Sequence, residues 1–222
     1  MEESWLSALW YQCVYSLTAA VMSFGFSLRT EGHQHVPRRG AALLLANHQS
    51  FLDPLLVGLA VRRHAVFLAR QTLFRHRSLA WLMRSLHAVP VNQEGFARKG
   101  LKTILAQLQA GRIVGIFPEG ERTRDGQITP LRPGVLLLIK KMQMPIVPIG
   151  IAGAYHAWPR WRSYPIPAPL FLPAGPGTIA VSVGPPLDSR RFVDLPREQV
   201  LAELFVELQK QKERAERLRR KA

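Results

Sequence analysis

Cysteine is almost absent from this chain of 222 residues, and acidic residues are scarce. Cys13 is the only cysteine, so an intrachain disulfide and a zinc site built from thiolates are both excluded. It lies in an apolar segment, where we expect a buried and unreactive thiol. The 15 acidic residues are set against 30 lysines and arginines, which gives a net charge of +15. Such a charge attracts the phosphates of nucleic acids, anionic lipids or phosphorylated small molecules.

The sequence motifs of the common nucleotide-binding and nucleic-acid-binding folds are also missing. No Gly-x4-Gly-Lys-Ser/Thr segment occurs, and the surroundings of Gly150 and Gly153 do not form a dinucleotide-binding fingerprint. Neither a zinc-finger spacing nor an aromatic RNA-binding strand motif is present, so a nucleic-acid partner is not expected. A hydrophobic content of 47% with 20% charged residues is typical of a globular chain. One domain accommodates this length, and a second is not required.

Charged residues are missing from the whole segment between Trp5 and Leu28. The segment is long enough to span a bilayer. A signal peptide is not expected, because acidic residues precede it and no cleavage site clearly follows. Its polar residues form one stripe at the helical period, which suits a helix with one face on lipid; they are Gln12, Ser16, Ser23 and Ser27.

The absence of charged residues from this helix favours association with a membrane. It does not decide whether the helix crosses the bilayer or lies on its surface. A long buried helix of a soluble domain is the alternative. If the helix spans, the basic residues Arg29, Arg38 and Arg39 place the rest of the chain on the cytoplasmic side. We therefore divide the chain into a membrane-associating helix over 1–30, an α/β domain over 31–195 and a basic C-terminal helix over 196–222.

Short apolar runs alternate with helical patterns along the middle of the chain, which predicts an α/β fold with a mixed, largely parallel sheet flanked by helices. The predicted strands are Ala41–Ala46, Ala65–Ala69, Ala88–Asn92, Ile113–Phe117, Ile146–Ile151 and Thr178–Val183. The predicted helices are Pro54–Val61, Ser78–Leu86, Phe96–Ala110 and Val135–Met142. The proline-rich segment 156–177 is predicted to be a long loop. Beyond Pro196 we expect a helix whose basic end, Lys210 to Lys221, is solvated and frayed, and binding of this run to anionic lipid is the alternative.

The block Asn47-His48-Gln49-Ser50-Phe51-Leu52-Asp53 follows the first of these apolar runs. On one regular helix or strand, His48 and Asp53 would point apart, so they can meet only if the chain turns between them. A strand ending near Asn47 and a helix starting at Pro54 would supply that turn. A histidine held by a carboxylate can deprotonate a hydroxyl near neutral pH. The alternative is that Asp53 simply caps the helix and His48 is an ordinary loop residue.

A second block, Phe117-Pro118-Glu119-Gly120-Glu121-Arg122-Thr123-Arg124, also follows an apolar run. Gly120 permits a tight turn and a close approach of the backbone. In an extended loop Arg122 and Arg124 point the same way, and two guanidinium groups can bind a phosphate monoester. A pair of exposed arginines is the alternative. Under either interpretation Glu119 and Glu121 are expected to be their salt-bridge partners.

At these residues the sequence resembles the PlsC-type glycerolipid acyltransferases, the 1-acyl-sn-glycerol-3-phosphate (lysophosphatidate) acyltransferase family. The first block matches the family's His-x4-Asp motif, and the second matches its Phe-Pro-Glu-Gly-x-Arg motif. Two weaker matches are Val147-Pro148-Ile149 and the basic segment Leu68-Ala69-Arg70 with Leu73-Phe74. The resemblance runs from about Gly32 to Leu187 and preserves the order of the motifs.

The resemblance implies an enzyme that transfers a fatty acyl group from acyl-CoA or acyl-carrier protein to the hydroxyl of a lysophospholipid at a membrane surface. The expected acceptor is 1-acyl-glycerol 3-phosphate, and no cofactor or metal is implied. His48 would be the general base and Asp53 would orient it. The residues expected to bind the substrate are Arg70, Glu119, Gly120, Arg122 and Arg124.

One position departs from the family pattern. Gln93 stands where the family's second motif usually ends in arginine, and glutamine keeps hydrogen bonding but loses the charge. Either Arg98 or Lys99 replaces that arginine, or the acceptor has a different head group. A non-catalytic lipid-binding protein is a more distant alternative, which would explain the basic charge and the apolar helix but not the pairing of His48 with Asp53.

Overall fold

The computed structural model of the chain describes residues 5–75, 88–91, 96–170 and 173–220. An eight-stranded sheet forms the centre of this described part. Its strands are β1 (Arg29–Glu31), β2 (Ala42–Ala46), β3 (Ala65–Arg70), β4 (Ala88–Val91), β5 (Ile113–Ile116), β6 (Pro145–Ala152), β7 (Ala180–Val183) and β8 (Leu187–Asp188). The order across the sheet is β1-β7-β6-β2-β5-β3-β4, and β8 pairs with β6.

The sheet is mixed but mostly parallel. Strands β6, β2, β5, β3 and β4 run parallel to one another, whereas β7 and β8 are antiparallel to β6. The helices are α1 (Trp5–Phe26), α2 (Asp53–Val61), α3 (Phe96–Gln109), α4 (Gly134–Lys141), α5 (Ala154–Ala157) and α6 (Arg197–Arg220). Single 3-10 turns lie at His33–His35, Gln71–Phe74 and Ser189–Phe192.

Helices cover both faces of the sheet, as its apolar strands require. Leu44 points from β2 into a core shared with α1 and α2. Its neighbours Leu43 and Leu45 point into the opposite core, which α3, α4 and α6 close. Strands that are buried on both faces read as continuous apolar runs rather than alternating ones. The three layers follow from this burial on both sides.

The predicted α/β class is confirmed, and the predicted strands and helices that fall on described residues all form, with ends that shift by a few residues. Two short strands, β1 and β8, were not predicted. The predicted helix Ser78–Leu86 and the end of the strand at Asn92 lie outside the described residues. The segment predicted as a long loop begins within α5 and contains no further helix or strand among its described residues up to Gly177.

The N-terminal helix forms as predicted, but the expectation that Cys13 is buried is wrong. Cys13 is exposed on α1 rather than buried. Among the described residues, no helix combines the length and the apolar character that crossing a bilayer requires. The inner side of α1 packs on the core through Met22 and Phe26, while Leu17 is 67% exposed and Phe24 57% exposed. The helix therefore has one packed side and one exposed apolar side.

The C-terminal helix is not frayed within the described residues, contrary to the prediction. It continues to Arg220, and its backbone at Gln211 lies against Gly150 of β6, where a side chain would collide. Arg219 donates to Glu216 and to the carbonyl of Gly175. Arg214 pairs with Glu31 of β1 at 3.3 Å. The basic end is ordered because its cations have partners in the body of the protein.

Candidate active site

Three parallel strands end at the same edge of the sheet and deliver the predicted site residues there. Leu45 of β2 pairs in register with Ile116 of β5, and Ala46 pairs with Ile149 of β6. The residues that follow β2 and β5 are therefore brought together above the sheet. In open α/β sheets this edge, outside the carboxyl ends of the strands, is where ligands bind.

Asn47 anchors the first of these loops to the sheet. Its side-chain amide donates to the carbonyl oxygen of Ile151 at 3.0 Å and accepts from the Ile151 N–H at 2.7 Å. The side-chain amide thus adds two more hydrogen bonds between the chain after β2 and strand β6. This fixes the point at which the chain turns toward His48.

The turn brings His48 and Asp53 together, as the sequence predicted. Nδ1 of His48 lies 2.7 Å from Oδ2 of Asp53, and the side chains are 20% and 0% exposed respectively. The same carboxylate oxygen accepts the backbone N–H groups of Gln49 at 2.5 Å and Ser50 at 2.7 Å. The interpretation of Asp53 as a helix cap is wrong, because the helix begins at Asp53 itself and Leu52 is the capping residue. Its carboxylate turns back toward the loop instead.

The hydrogen bonds around Asp53 determine which nitrogen of His48 is available. Two backbone donors already point at Oδ2, so Nδ1 of the imidazole binds there as a third donor, with its proton on that nitrogen. The lone pair of Nε2 is then free to accept a proton from a hydroxyl. The carboxylate also stabilises the imidazolium that forms when the proton arrives. A base with this geometry suits proton abstraction in acyl transfer.

Glu119 links the second block to the first. Oε1 accepts the backbone N–H of His48 at 2.6 Å, and Oε2 accepts both the N–H and the hydroxyl of Thr129, at 2.8 and 3.0 Å. Burial raises the pKa of the Glu119 carboxyl, and these hydrogen bonds oppose the shift. The carboxylate therefore holds the histidine loop and the arginine loop at a fixed separation.

Glu121 contacts two arginines that the sequence did not single out. Both oxygens of Glu119 bind the groups described above. Glu121 lies 3.7 Å from Arg160 and 4.0 Å from Arg132. These are exposed ion pairs, which contribute little to stability.

Gly120 forms the predicted tight turn, and the structure shows why glycine is needed. Its φ is +78°, and a Cβ there would lie 2.6 Å from Cδ of Arg132. The Arg132 side chain crosses the turn and donates from Nε to the carbonyl oxygen of Glu119 at 3.0 Å. The Arg132 side chain therefore stabilises the turn at Gly120, and this fixes the position from which the loop continues to Arg122.

Arg122 is half-buried and lies over the ring of Phe51, with Cζ 3.4 Å from the ring centroid. Arg124 is exposed, and its carbonyl oxygen accepts the hydroxyl of Tyr155 at 2.8 Å. Arg70 ends β3, and its backbone pairs with Val91. Arg122 therefore stacks on the loop that carries His48 and Asp53.

Several residues that shape the site were not singled out from the sequence. Phe117 lies flat against the imidazole of His48, with ring centroids 4.1 Å apart and an angle of 16°. Gln49 bridges the carbonyl of Gly126 and the N–H of Tyr155. Thr129 and Phe51 were likewise missed. Phe51 and Phe117 lie within the two motif blocks, so the motifs could have identified them as site residues. Thr129 lies outside both blocks, and nothing in the neighbouring sequence points to its role.

No cluster of three or more histidine, cysteine, aspartate or glutamate side chains with the arrangement of a metal site occurs within the described parts of the chain. The groups gathered at the edge of the sheet are one base with its carboxylate, one bridging glutamate and a stacked guanidinium. This set can move a proton and bind an anion. It fits attack by a hydroxyl on an acyl carbon better than it fits binding alone.

Comparison with known proteins points in the same direction. A family model described as acyltransferase matches residues 27–152. The 1-acyl-sn-glycerol-3-phosphate acyltransferase of Bacillus subtilis (strain 168) is 23% identical over 193 residues, which cover 86% of this chain and 89% of that protein. The enzyme of the same name from Limnanthes douglasii is 26% identical over 160 residues, covering 68% of this chain and 55% of its own length.

A solved structure shares the fold. The crystal structure of the 1-acyl-sn-glycerophosphate (LPA) acyltransferase PlsC from Thermotoga maritima matches with a TM-score of 0.77 and 22% sequence identity. The match covers 96% of this chain and 80% of that one. At this level of identity the likeness establishes the three-layer α/β fold.

Proposed function

Because the chain belongs to the PlsC-type acyltransferase family, we propose that it transfers a fatty acyl group from an acyl thioester to 1-acyl-glycerol 3-phosphate, which gives phosphatidate. The observation that carries the proposal is the 2.7 Å contact between Nδ1 of His48 and Oδ2 of Asp53, which leaves Nε2 for the acceptor hydroxyl. The names of the relatives from Bacillus subtilis and Limnanthes douglasii support this acceptor.

The reaction proceeds by direct attack. Nε2 of His48 takes the proton of the acceptor hydroxyl as its oxygen attacks the thioester carbonyl carbon. The tetrahedral intermediate collapses, the carbon–sulfur bond breaks, and the thiolate receives the proton back from His48. The products are an ester and a free thiol, and Asp53 stabilises the imidazolium between the two proton transfers. No acyl-enzyme and no cofactor are needed, and acyl-CoA or acyl-carrier protein would serve as donor.

The acceptor phosphate binds to Arg122, with Arg124 at the exposed side of the loop and Arg70 at the end of β3. The planar N–H groups of a guanidinium match the geometry of phosphate oxygens, and stacking on the Phe51 ring holds that plane in one orientation. Glu119 and Gly120 shape the binding region through the turn that positions Arg122. Since Gln93 replaces the family's arginine, an acceptor with another head group is the alternative.

The acceptor is a lipid, and an exposed apolar surface beside the site suits a membrane. The outer side of α1 adjoins the proline-rich loop, in which Ala168 donates to the carbonyl of Gly25 at 2.8 Å and Leu170 donates to that of Phe24 at 3.1 Å. The two segments each expose apolar side chains, namely Leu17, Val21 and Phe24 on α1 and Ile166 and Leu170 on the loop. We assign this surface, the α1–loop surface, to the cytoplasmic leaflet of a membrane, whose anionic lipids attract a protein of charge +15.

The test is release of free thiol from acyl-CoA and from acyl-carrier protein with a panel of acceptors. The panel holds 1-acyl-glycerol 3-phosphate, glycerol 3-phosphate, a lysophospholipid with a phosphodiester head group and an uncharged monoacylglycerol. We expect turnover to be fastest with 1-acyl-glycerol 3-phosphate and to fall by about 10²- to 10⁴-fold in His48→Ala. Substitution of His33, an exposed histidine on a remote turn, is the matched control. Near-normal turnover in His48→Ala would refute the mechanism, and preference for another panel member would refute the acceptor.

A further inference from the structure

Gly115 and Phe67 are partners across the parallel strands β5 and β3. A Cβ at position 115 would lie 2.7 Å from both Cδ1 and Cζ of the Phe67 ring. Carbon atoms pack at about 3.5–4.0 Å, so the ring of Phe67 occupies the space that any other side chain at 115 would need. Phe67 is buried, which leaves it little room to move aside.

The ring of Phe67 is the first of three nearly parallel rings that end at the general base. Its centroid lies 6.1 Å from that of Phe117, with an angle of 20° between the planes. Phe117 in turn lies 4.1 Å from the imidazole of His48 at 16°. Both separations fall within or close to the range of favourable aromatic contacts. We call these three residues the ring stack.

The contact with Asp53 supplies part of the orientation of the imidazole. The hydrogen bond restrains Nδ1, and with the covalent bond at Cγ it limits rotation of the ring, but it places nothing against the face of the ring. Phe117 restrains the face of the ring, and the two contacts together fix the direction in which Nε2 points. The direction matters, because a misplacement of about 1 Å in a reacting group can lower turnover by about a hundredfold.

We propose that Phe67 and Gly115 are positioning residues for His48: the absence of a side chain at 115 allows Phe67 to hold Phe117, and Phe117 holds the imidazole plane. The role of His48 as the base rests on the function proposed above. Neither positioning residue touches the reacting atoms. Their effect is on the rate of the chemical step rather than on substrate binding.

The test uses Phe67→Leu, which keeps an apolar side chain but removes the ring, and Gly115→Ala, which displaces the ring. We expect kcat to fall about tenfold to a hundredfold in each, with KM for donor and acceptor within about twofold of wild type. The ring proton of His48 on Cε1 is identified by its loss in His48→Gln, and because the imidazole is stacked on Phe117 we expect the ring current to shift its resonance upfield. We expect that shift to shrink in both variants.

Val66→Ala is the matched control, since Val66 adjoins Phe67 on β3 but points into the opposite core. It lowers stability without altering the ring stack, and we expect normal kcat and an unchanged His48 resonance. Unchanged kcat and resonance in Phe67→Leu would overturn the proposal. A fall in kcat that tracks the melting temperature in all three variants would also overturn it. If the wild-type protein showed no acyl transfer, the proposed function would fail, and the resonance alone would decide whether the ring stack orients His48.

Discussion

The guanidinium of Arg122 lies 3.4 Å from the centroid of the Phe51 ring, so the loop that pairs His48 with Asp53 also supports Arg122. Phe51 stands between His48 and Asp53 in the sequence and is 48% exposed. Its ring also approaches Trp158, with centroids 5.6 Å apart. A large exposed aromatic would be costly without a role, and the stacked arginine supplies one.

Replacing Phe51 with leucine should weaken binding of a phosphorylated acceptor. The cation–π contact is lost, and Arg122 is no longer held in one orientation. We expect KM for 1-acyl-glycerol 3-phosphate to rise by about three- to tenfold, while KM for an uncharged monoacylglycerol stays near its original value. Steady-state kinetics with both acceptors measures this. Arg122→Ala should raise the KM for 1-acyl-glycerol 3-phosphate further still, again with little change in the KM for the monoacylglycerol. An equal rise in KM for both acceptors in these variants would refute the role of Arg122 in binding the acceptor phosphate.

Replacing Glu119 with glutamine should destabilise the protein and slow the reaction. Every group hydrogen-bonded to this carboxylate is a donor, so the new NH2 group would face another donor. We expect a loss of about 1–3 kcal/mol in the free energy of unfolding, together with a lower kcat because the backbone of His48 is released. Denaturant unfolding and thiol release measure the two effects. Glu121→Gln, the same change at an exposed neighbour, should stay within about 0.5 kcal/mol of wild type. Equal losses in the two variants would contradict the bridging role of Glu119.

Charging the α1–loop surface should reduce binding to lipid vesicles. Leu17→Asp and Phe24→Asp place carboxylates on the exposed side of α1, where more than half of each side chain is accessible. We expect the fraction bound to vesicles of anionic lipid to fall several-fold, as measured by flotation. Leu137→Asp is the control, because Leu137 is also 50% exposed but lies on α4. Loss of binding in all three variants alike would show that net charge, not this surface, governs association.

The end of α6 should make a pH-dependent contribution to stability. Hydrogen bonds from Arg219, and then from Arg220, lower the pKa of Glu216 from 4.5 to about 2. The stabilisation is therefore fully present above pH 4.5 and is lost as the pH falls toward 2. We expect Glu216→Gln to unfold at lower denaturant than wild type at pH 6, with the difference vanishing near pH 2. Glu213→Gln, a neutralisation on the same helix, should show a smaller difference. A difference for Glu216→Gln that stays constant with pH would contradict the assignment.

The sequence was a good guide where burial or local chain geometry leaves its own pattern. β2 and β5 are buried on both faces, so they appear as apolar runs that were predicted to within a residue at each end. The pairing of His48 with Asp53 was also accessible, because one turn between a strand and a helix is enough to bring them together. By contrast, β1 carries the polar sequence Arg29-Thr30-Glu31, and it forms a strand only because β7 offers it a free edge.

The chain by itself therefore determined the α/β class, the family motifs and the pairing of His48 with Asp53, since each depends on residues close together in sequence. Tertiary structure alone decided that Glu119 bridges His48 to Thr129 and that Phe67 lies over Gly115. It also decided that the basic end of α6 is held by Gly175 and Glu31. These contacts join elements far apart in the chain, and which donor faces which acceptor depends on the distance and direction that packing of the layers imposes.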